Sequence, residues 1–85
     1  MITPDAIKSI LIRTLPDAQV EVFDRTGTLD HFRLIVVSVA FEGKNLLDRQ
    51  RLVYQALGEP MKDGRIHALE IKSSTPDEAK ASGKN

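Results

Sequence analysis

Eighty-five residues make one small domain, and a fold of this size buries only roughly two thirds of the surface its unfolded chain exposes, so one sheet with a few helices is the core available. The absence of cysteine excludes a disulfide staple, a thiolate nucleophile and a cluster held by the chain's own sulfur, and it suits a reducing compartment. Twelve basic residues against 12 acidic ones leave no net field for a polyanion, and the longest apolar run, LIVV, is far too short to cross a membrane.

The N-terminal MITPDAIKSILIRTLPDA carries acidic residues and a helix start where a leader would be basic or uninterrupted, so a cytoplasmic protein is expected. Thr3 before Pro4 reads as an N-cap with proline at the first helical position, where its missing N–H costs nothing. Ile7, Ile10, Leu11 and Leu15 then form one stripe, and Pro16 ends it. QVEVFD alternates with the period of a half-buried strand, ending at Asp24. RTGTLD supplies the reversal, and HFRLIVVSVAF reads as a second, central strand, apolar on both faces and paired antiparallel with the first.

After FEGKN, Asn45 caps a helix expected to run to Gly58, with Leu46, Leu47, Gln50, Val53, Tyr54 and Leu57 on one arc and Leu52 opposite. EPMKDGR is a turn or single helical turn, and IHALEIKS is the third strand, with His67, Leu69 and Ile71 sharing a parity. TPDE forms a capping box for a short last helix, with residues 82–85 as a flexible tail. A strand, helix and strand within one sheet most often make a parallel crossover, so strands two and three should run the same way. The expected fold is α+β, in the order α-β-β-α-β: a three-stranded mixed sheet with helices packed on one face, in a single domain over residues 1–85. Val20, Val22, Leu69 and Ile71 should share its core with Ile7, Leu11, Val53 and Leu57, while Ile35, Val37 and Val39 offer an apolar second face that either serves as a partner surface or is covered by the chain's own ends.

His31 opens the second strand and His67 the third, and parallel neighbours about 4.8 Å apart bring their starts together, so the only two histidines can converge on one rim. Two histidines without an H-x-x-x-H spacing make a poor zinc site. With no G-x-S-x-G elbow and no cysteine, no nucleophile is visible, and a non-enzymatic protein is expected.

The run HFRLIVVSVAFEGKNLLDRQRLVYQALGEPMKDGRIHALEIKSSTPDE resembles the BolA family, most specifically in VVSVAFEGK, RQRLVYQAL and IHALEIKSSTPDE. The resemblance implies a fold like the second type of KH domain without its RNA-clamping glycine loop. It also implies an adaptor that forms a heterodimer with a monothiol glutaredoxin in iron–sulfur cluster trafficking and in iron or redox homeostasis. By this match His67 falls on the family's cluster-ligand histidine. The family takes its second ligand from the loop between the first two strands; RTGTLD holds neither cysteine nor histidine, so His31 at its exit remains. Gln50 stands where many members have histidine. A [2Fe–2S] cluster needs four ligands, and imidazole replaces thiolate at one iron of Rieske centres. This chain offers two nitrogens, so the expected cluster is shared, with the glutaredoxin and its bound glutathione supplying sulfur. The competing expectation is a KH-like, nucleic-acid-binding transcriptional regulator using Lys44, Arg49, Arg51, Lys62 and Arg65, a set interleaved with Glu42, Asp48, Glu59 and Asp63.

Overall fold

The computed structural model describes residues 2–81, so the expected tail at 82–85 lies outside the described residues. Helix α1 (Pro4–Thr14) begins where Thr3 Oγ1 accepts the Ala6 N–H at 3.1 Å, and it buries Ile7 and Leu11. Strands β1 (Gln19–Asp24) and β2 (His31–Val37) pair antiparallel, and β2 pairs parallel with β3 (Ala68–Ser74), giving the sheet order β1-β2-β3. Between them, α2 (Leu46–Leu57) is capped by Asn45 Oδ1 accepting the Asp48 N–H at 2.9 Å, and the single turn α3 (Glu59–Lys62) follows at once. Gly58 joins the two at φ 58°, ψ −116°, a conformation open to glycine because it has no Cβ. The last helix, α4 (Pro76–Ala81), opens with the expected capping box: Thr75 N–H donates to Glu78 Oε1 at 2.9 Å, and Glu78 N–H donates to Thr75 Oγ1 at 3.1 Å.

Register places Val20 beside Val36, Leu34 between Val22 and Ile71, and Phe32 beside Leu69, all on the face covered by α1 and α2. Ile7, Leu11, Val20, Val53 and Leu57 are buried there, with Val22, Leu69 and Ile71 partly buried against them, so the expected core forms.

Three local expectations need correction. The second strand stops at Val37. Ser38, wholly buried, accepts the Ala40 N–H and donates to Asp17 Oδ1, turning Val39–Phe41 into a 3₁₀ turn. The proposed second-face stripe is thereby shortened: Ile35 and Val37 are half-buried, and exposed Val39 has left the strand. On α2, Leu46, Leu47 and Tyr54 face solvent, whereas Leu52 and Ala56 pack against the core. The helix meets both α1 and the sheet, and its buried arc follows that wedge rather than the arc richest in large apolar residues. Finally, β3 starts at Ala68, leaving His67 just outside the strand and exposed.

Candidate functional site

The loop between β1 and β2 is built around Asp24, whose carboxylate accepts from the backbone N–H groups of Gly27 at 3.0 Å and Leu29 at 3.2 Å. Leu29 is held at φ 59°, a left-handed conformation that costs a branched residue roughly 1–2 kcal/mol. This turn delivers Asp30 to the start of β2. There the Asp30 carbonyl accepts the N–H of His67 at 2.7 Å and of Ala68 at 3.3 Å, clamping the entry of β3 against the exit of the loop.

That clamp brings the two histidines together. Their ring centroids lie 6.0 Å apart at an interplanar angle of 60°, on the rim where β2 and β3 both begin. Asp30 stands between them: Oδ1 is 2.8 Å from His31 Nδ1, and Oδ2 is 3.2 Å from His67 Nδ1. The Thr28 hydroxyl also donates to Oδ1. The hydroxyl of Thr28, then the imidazoles, hold the Asp30 carboxyl well below the usual carboxylate range. An ionised carboxylate has no proton to give, so each ring must carry its proton on Nδ1. In the neutral ring this leaves the Nε2 lone pair unused, the arrangement in which a carboxylate orients a metal-binding histidine. The side chains of His67 and His31 are 64% and 41% exposed, against 26% for Asp30, so both imidazoles reach solvent while the carboxylate between them is half-buried. A depression of about 230 Å³ beside His31 is lined by Arg25, Phe32, Ala68, Leu69 and Glu70.

Asp30 is the residue that sequence reasoning missed. It adjoins His31 in LDHF, but 37 positions separate it from His67, and only strand pairing closes that distance. Among the described residues no group of three or more His, Asp or Glu side chains is placed to hold a metal ion, so this rim presents two imidazole donors and no closed site. Borderline imidazole nitrogens suit iron, and two of them fit half of the ligand set of a cluster whose sulfur ligands come from elsewhere.

The three arginines expected to form a nucleic-acid surface have other attachments. Arg49 donates to both oxygens of Glu78, at 2.6 and 3.0 Å, and to the Lys44 carbonyl; its guanidinium lies 5.9 Å from the Phe41 ring centroid. Arg51 lies 3.6 Å from Asp48, and Arg65 lies 2.9 Å from Asp63. Lys44 and Lys62 have no ion-pair partner among the described residues. Gln50 is half-buried on α2.

Fold and rim together define an α+β domain with a three-stranded mixed sheet, helices against one face and a pair of outward imidazoles at one end of the sheet. Comparison with known proteins agrees. The family model described as BolA-like protein matches residues 13–78, and the chain belongs to the BolA-like family. It is 43% identical over 82 residues to Protein BOLA2 of Arabidopsis thaliana, covering 94% of this chain and 86% of that one. Its structure is similar to that of a BolA-like protein from Babesia bovis, with TM-score 0.86 and 36% identity over 99% of this chain and 96% of that one. The BolA domain of SufE1 from Arabidopsis thaliana matches with TM-score 0.78 and 38% identity, covering 88% of this chain and 93% of that one. No helix among the described residues is long and apolar enough to cross a membrane.

Proposed function

We propose that this chain is a non-enzymatic adaptor that pairs with a monothiol glutaredoxin and shares with it a glutathione-assisted [2Fe–2S] cluster. The observation that carries this reading is the Asp30-bridged pair of exposed imidazoles, each held through Nδ1, which in the neutral ring leaves the Nε2 lone pair as the donor. Membership of the BolA-like family supports it, as does the absence of cysteine, which obliges any cluster bound here to draw sulfur ligands from another molecule. His67, the more exposed ring, is the first ligand in this reading and His31 the second. Asp30 fixes both rings and keeps their Nδ1 atoms protonated. When bound, the cluster would supply a redox-active iron centre; the chain's part is to present two nitrogen donors and a docking rim.

The test is reconstitution with a monothiol glutaredoxin, iron, sulfide and glutathione, followed by visible spectroscopy and co-elution. A mixed complex with a spectrum differing from that of the glutaredoxin alone is expected, and His67→Ala should alter the spectrum while the partner still binds. A colourless mixture without a complex, or an unchanged spectrum in the His67 variant, would count against the ligand role.

A further inference from the structure

β3 is an edge strand: with the order β1-β2-β3, only one of its sides is paired. Ala68 N–H donates to the Asp30 carbonyl and the Ser74 carbonyl accepts from Ser38 N–H, so the backbone groups of these alternate residues point toward β2. Strand alternation then turns the N–H and C=O groups of Leu69, Ile71 and Ser73 outward. Among the described residues no other strand covers that edge. The α4 helix folds toward Asp17, Gln19 and Val37, which line a common depression with Pro76 and Lys80, and its Glu78 is held by Arg49 of α2. An unpaired edge of this length is a template for another strand.

The sequence of β3, ALEIKSS, says which strand fits. If two copies pair antiparallel about Ile71, Leu69 stands opposite Ser73 and Glu70 opposite Lys72, and symmetry makes the charge pair twice. The backbone agrees with this register. The outward residues Leu69, Ile71 and Ser73 become the hydrogen-bonded pairs, and Glu70 with Lys72 becomes the non-hydrogen-bonded pair, whose Cα atoms are about 4.5 Å apart with side chains closest. Centring instead on Leu69 sets Glu70 against Ala68 and Lys72 against Ile66. Centring on Ser73 sets Glu70 against Pro76 and Lys72 against Ser74. Both shifts lose the two charge pairs. Lys72 is exposed and has no ion-pair partner among the described residues, and Glu70 engages Arg25 through Oε1 alone, at 2.8 Å. Half-buried Leu69 and Ile71 mark the margin of the core on this side, and a second β3 would cover them.

We propose that β3 is a self-association edge: a second copy of the chain adds its own β3 antiparallel in the Ile71-centred register, joining two three-stranded sheets into one. A single strand pair is smaller than the roughly 1,200 Å² at the low end of stable interfaces, so the dimer is weak and reversible. It uses neither imidazole of the histidine rim and stands independently of the cluster reading.

Amide NMR of the isotope-labelled chain, from dilute to millimolar at low salt, tests it. Concentration should shift the Leu69, Ile71 and Ser73 amides and slow their hydrogen exchange, while the amides of Ala68, Glu70 and Lys72, already turned to β2, keep their exchange rates. K72E and E70K, each checked for native circular dichroism, should separately lose the concentration dependence because each homodimer opposes like charges. An equimolar mixture of the two should regain it, and that recovery is unaffected by the loss of the Arg25 contact in E70K. A chain that stays monomeric throughout overturns the proposal. So does self-association that survives both substitutions or maps to β1 or α2.

Discussion

Asp30 acts on both imidazoles with one carboxylate, and this economy makes the rim sensitive to a change that leaves the imidazoles themselves intact. Asp30→Asn keeps the shape but replaces an obligate acceptor by an amide, which no longer dictates that Nδ1 carries the proton in either ring. In the proposed mixed complex this should weaken cluster retention by about 10- to 100-fold, read by competition with a chelator. His67→Ala should leave the isolated chain folded, within about 0.5 kcal/mol of wild type in a denaturant titration, because its ring is 64% exposed and packs into no core. Ser73 is the opposite case: its Oγ is buried on the helix-covered face without a hydrogen-bond partner among the described residues. Ser73→Ala removes an unsatisfied polar atom, so the urea midpoint should hold or rise, by up to about 1 kcal/mol in stability. A clear fall would show that the hydroxyl has a partner in solution.

At the scale of elements, α2 separates residues that look alike in the sequence. Leu57→Ala should cost about 2 to 5 kcal/mol because the side chain is 2% exposed within the packed core. Leu47→Ala should change stability by no more than about 0.5 kcal/mol, since that leucine faces solvent. Leu52, partly buried against the core, should fall between them, and an equal loss at Leu47 and Leu57 would place the helix in a different phase. The attachment of α4 to α2 carries a pH signature. Hydrogen bonds from Arg49, then from the Thr75 N–H, pull the Glu78 carboxyl from its ordinary 4.5 down to about 2. A carboxyl depressed in the folded state stabilises the fold above its ordinary value and loses that contribution as pH falls from about 4.5 toward 2. Glu78→Gln should therefore be less stable than wild type near neutral pH, and the gap in thermal midpoint should close through that acidic window. Asp17, lowered chiefly by the Val39 N–H and also by the Ser38 hydroxyl, shifts wild-type stability in the same direction.

Across the whole molecule, β2 is the strand on which everything else is assembled. Its Leu34 is fully buried between Val22 of β1 and Ile71 of β3. Leu34→Ala should cost about 2 to 5 kcal/mol, a large share of the 5 to 15 kcal/mol typical of small domains, and β2 amides should be among the slowest to exchange. Much of this architecture was legible in the chain because it depends on local signals. Thr3–Pro4, Asn45, Gly58 and the Thr75–Glu78 box mark helix ends through their own hydrogen-bonding and backbone preferences, and the two-residue period of QVEVFD marks β1. Local pattern and topology together also bring His31 and His67 to the same rim, since parallel strands start side by side. What only the tertiary structure decided depends on contacts distant in sequence. The buried arc of α2 rotated toward Leu52 and Ala56 because packing against α1 and the sheet outweighs the helix's own apolar moment. The second strand ended at Val37 because Ser38 found Asp17, 21 residues earlier. Asp30 became the shared orienter of two imidazoles because its backbone carbonyl receives the entry of β3. Periodicity can place a residue on a face, but which group completes its hydrogen bonds is settled only when strands far apart in the chain are brought within about 3 Å of one another.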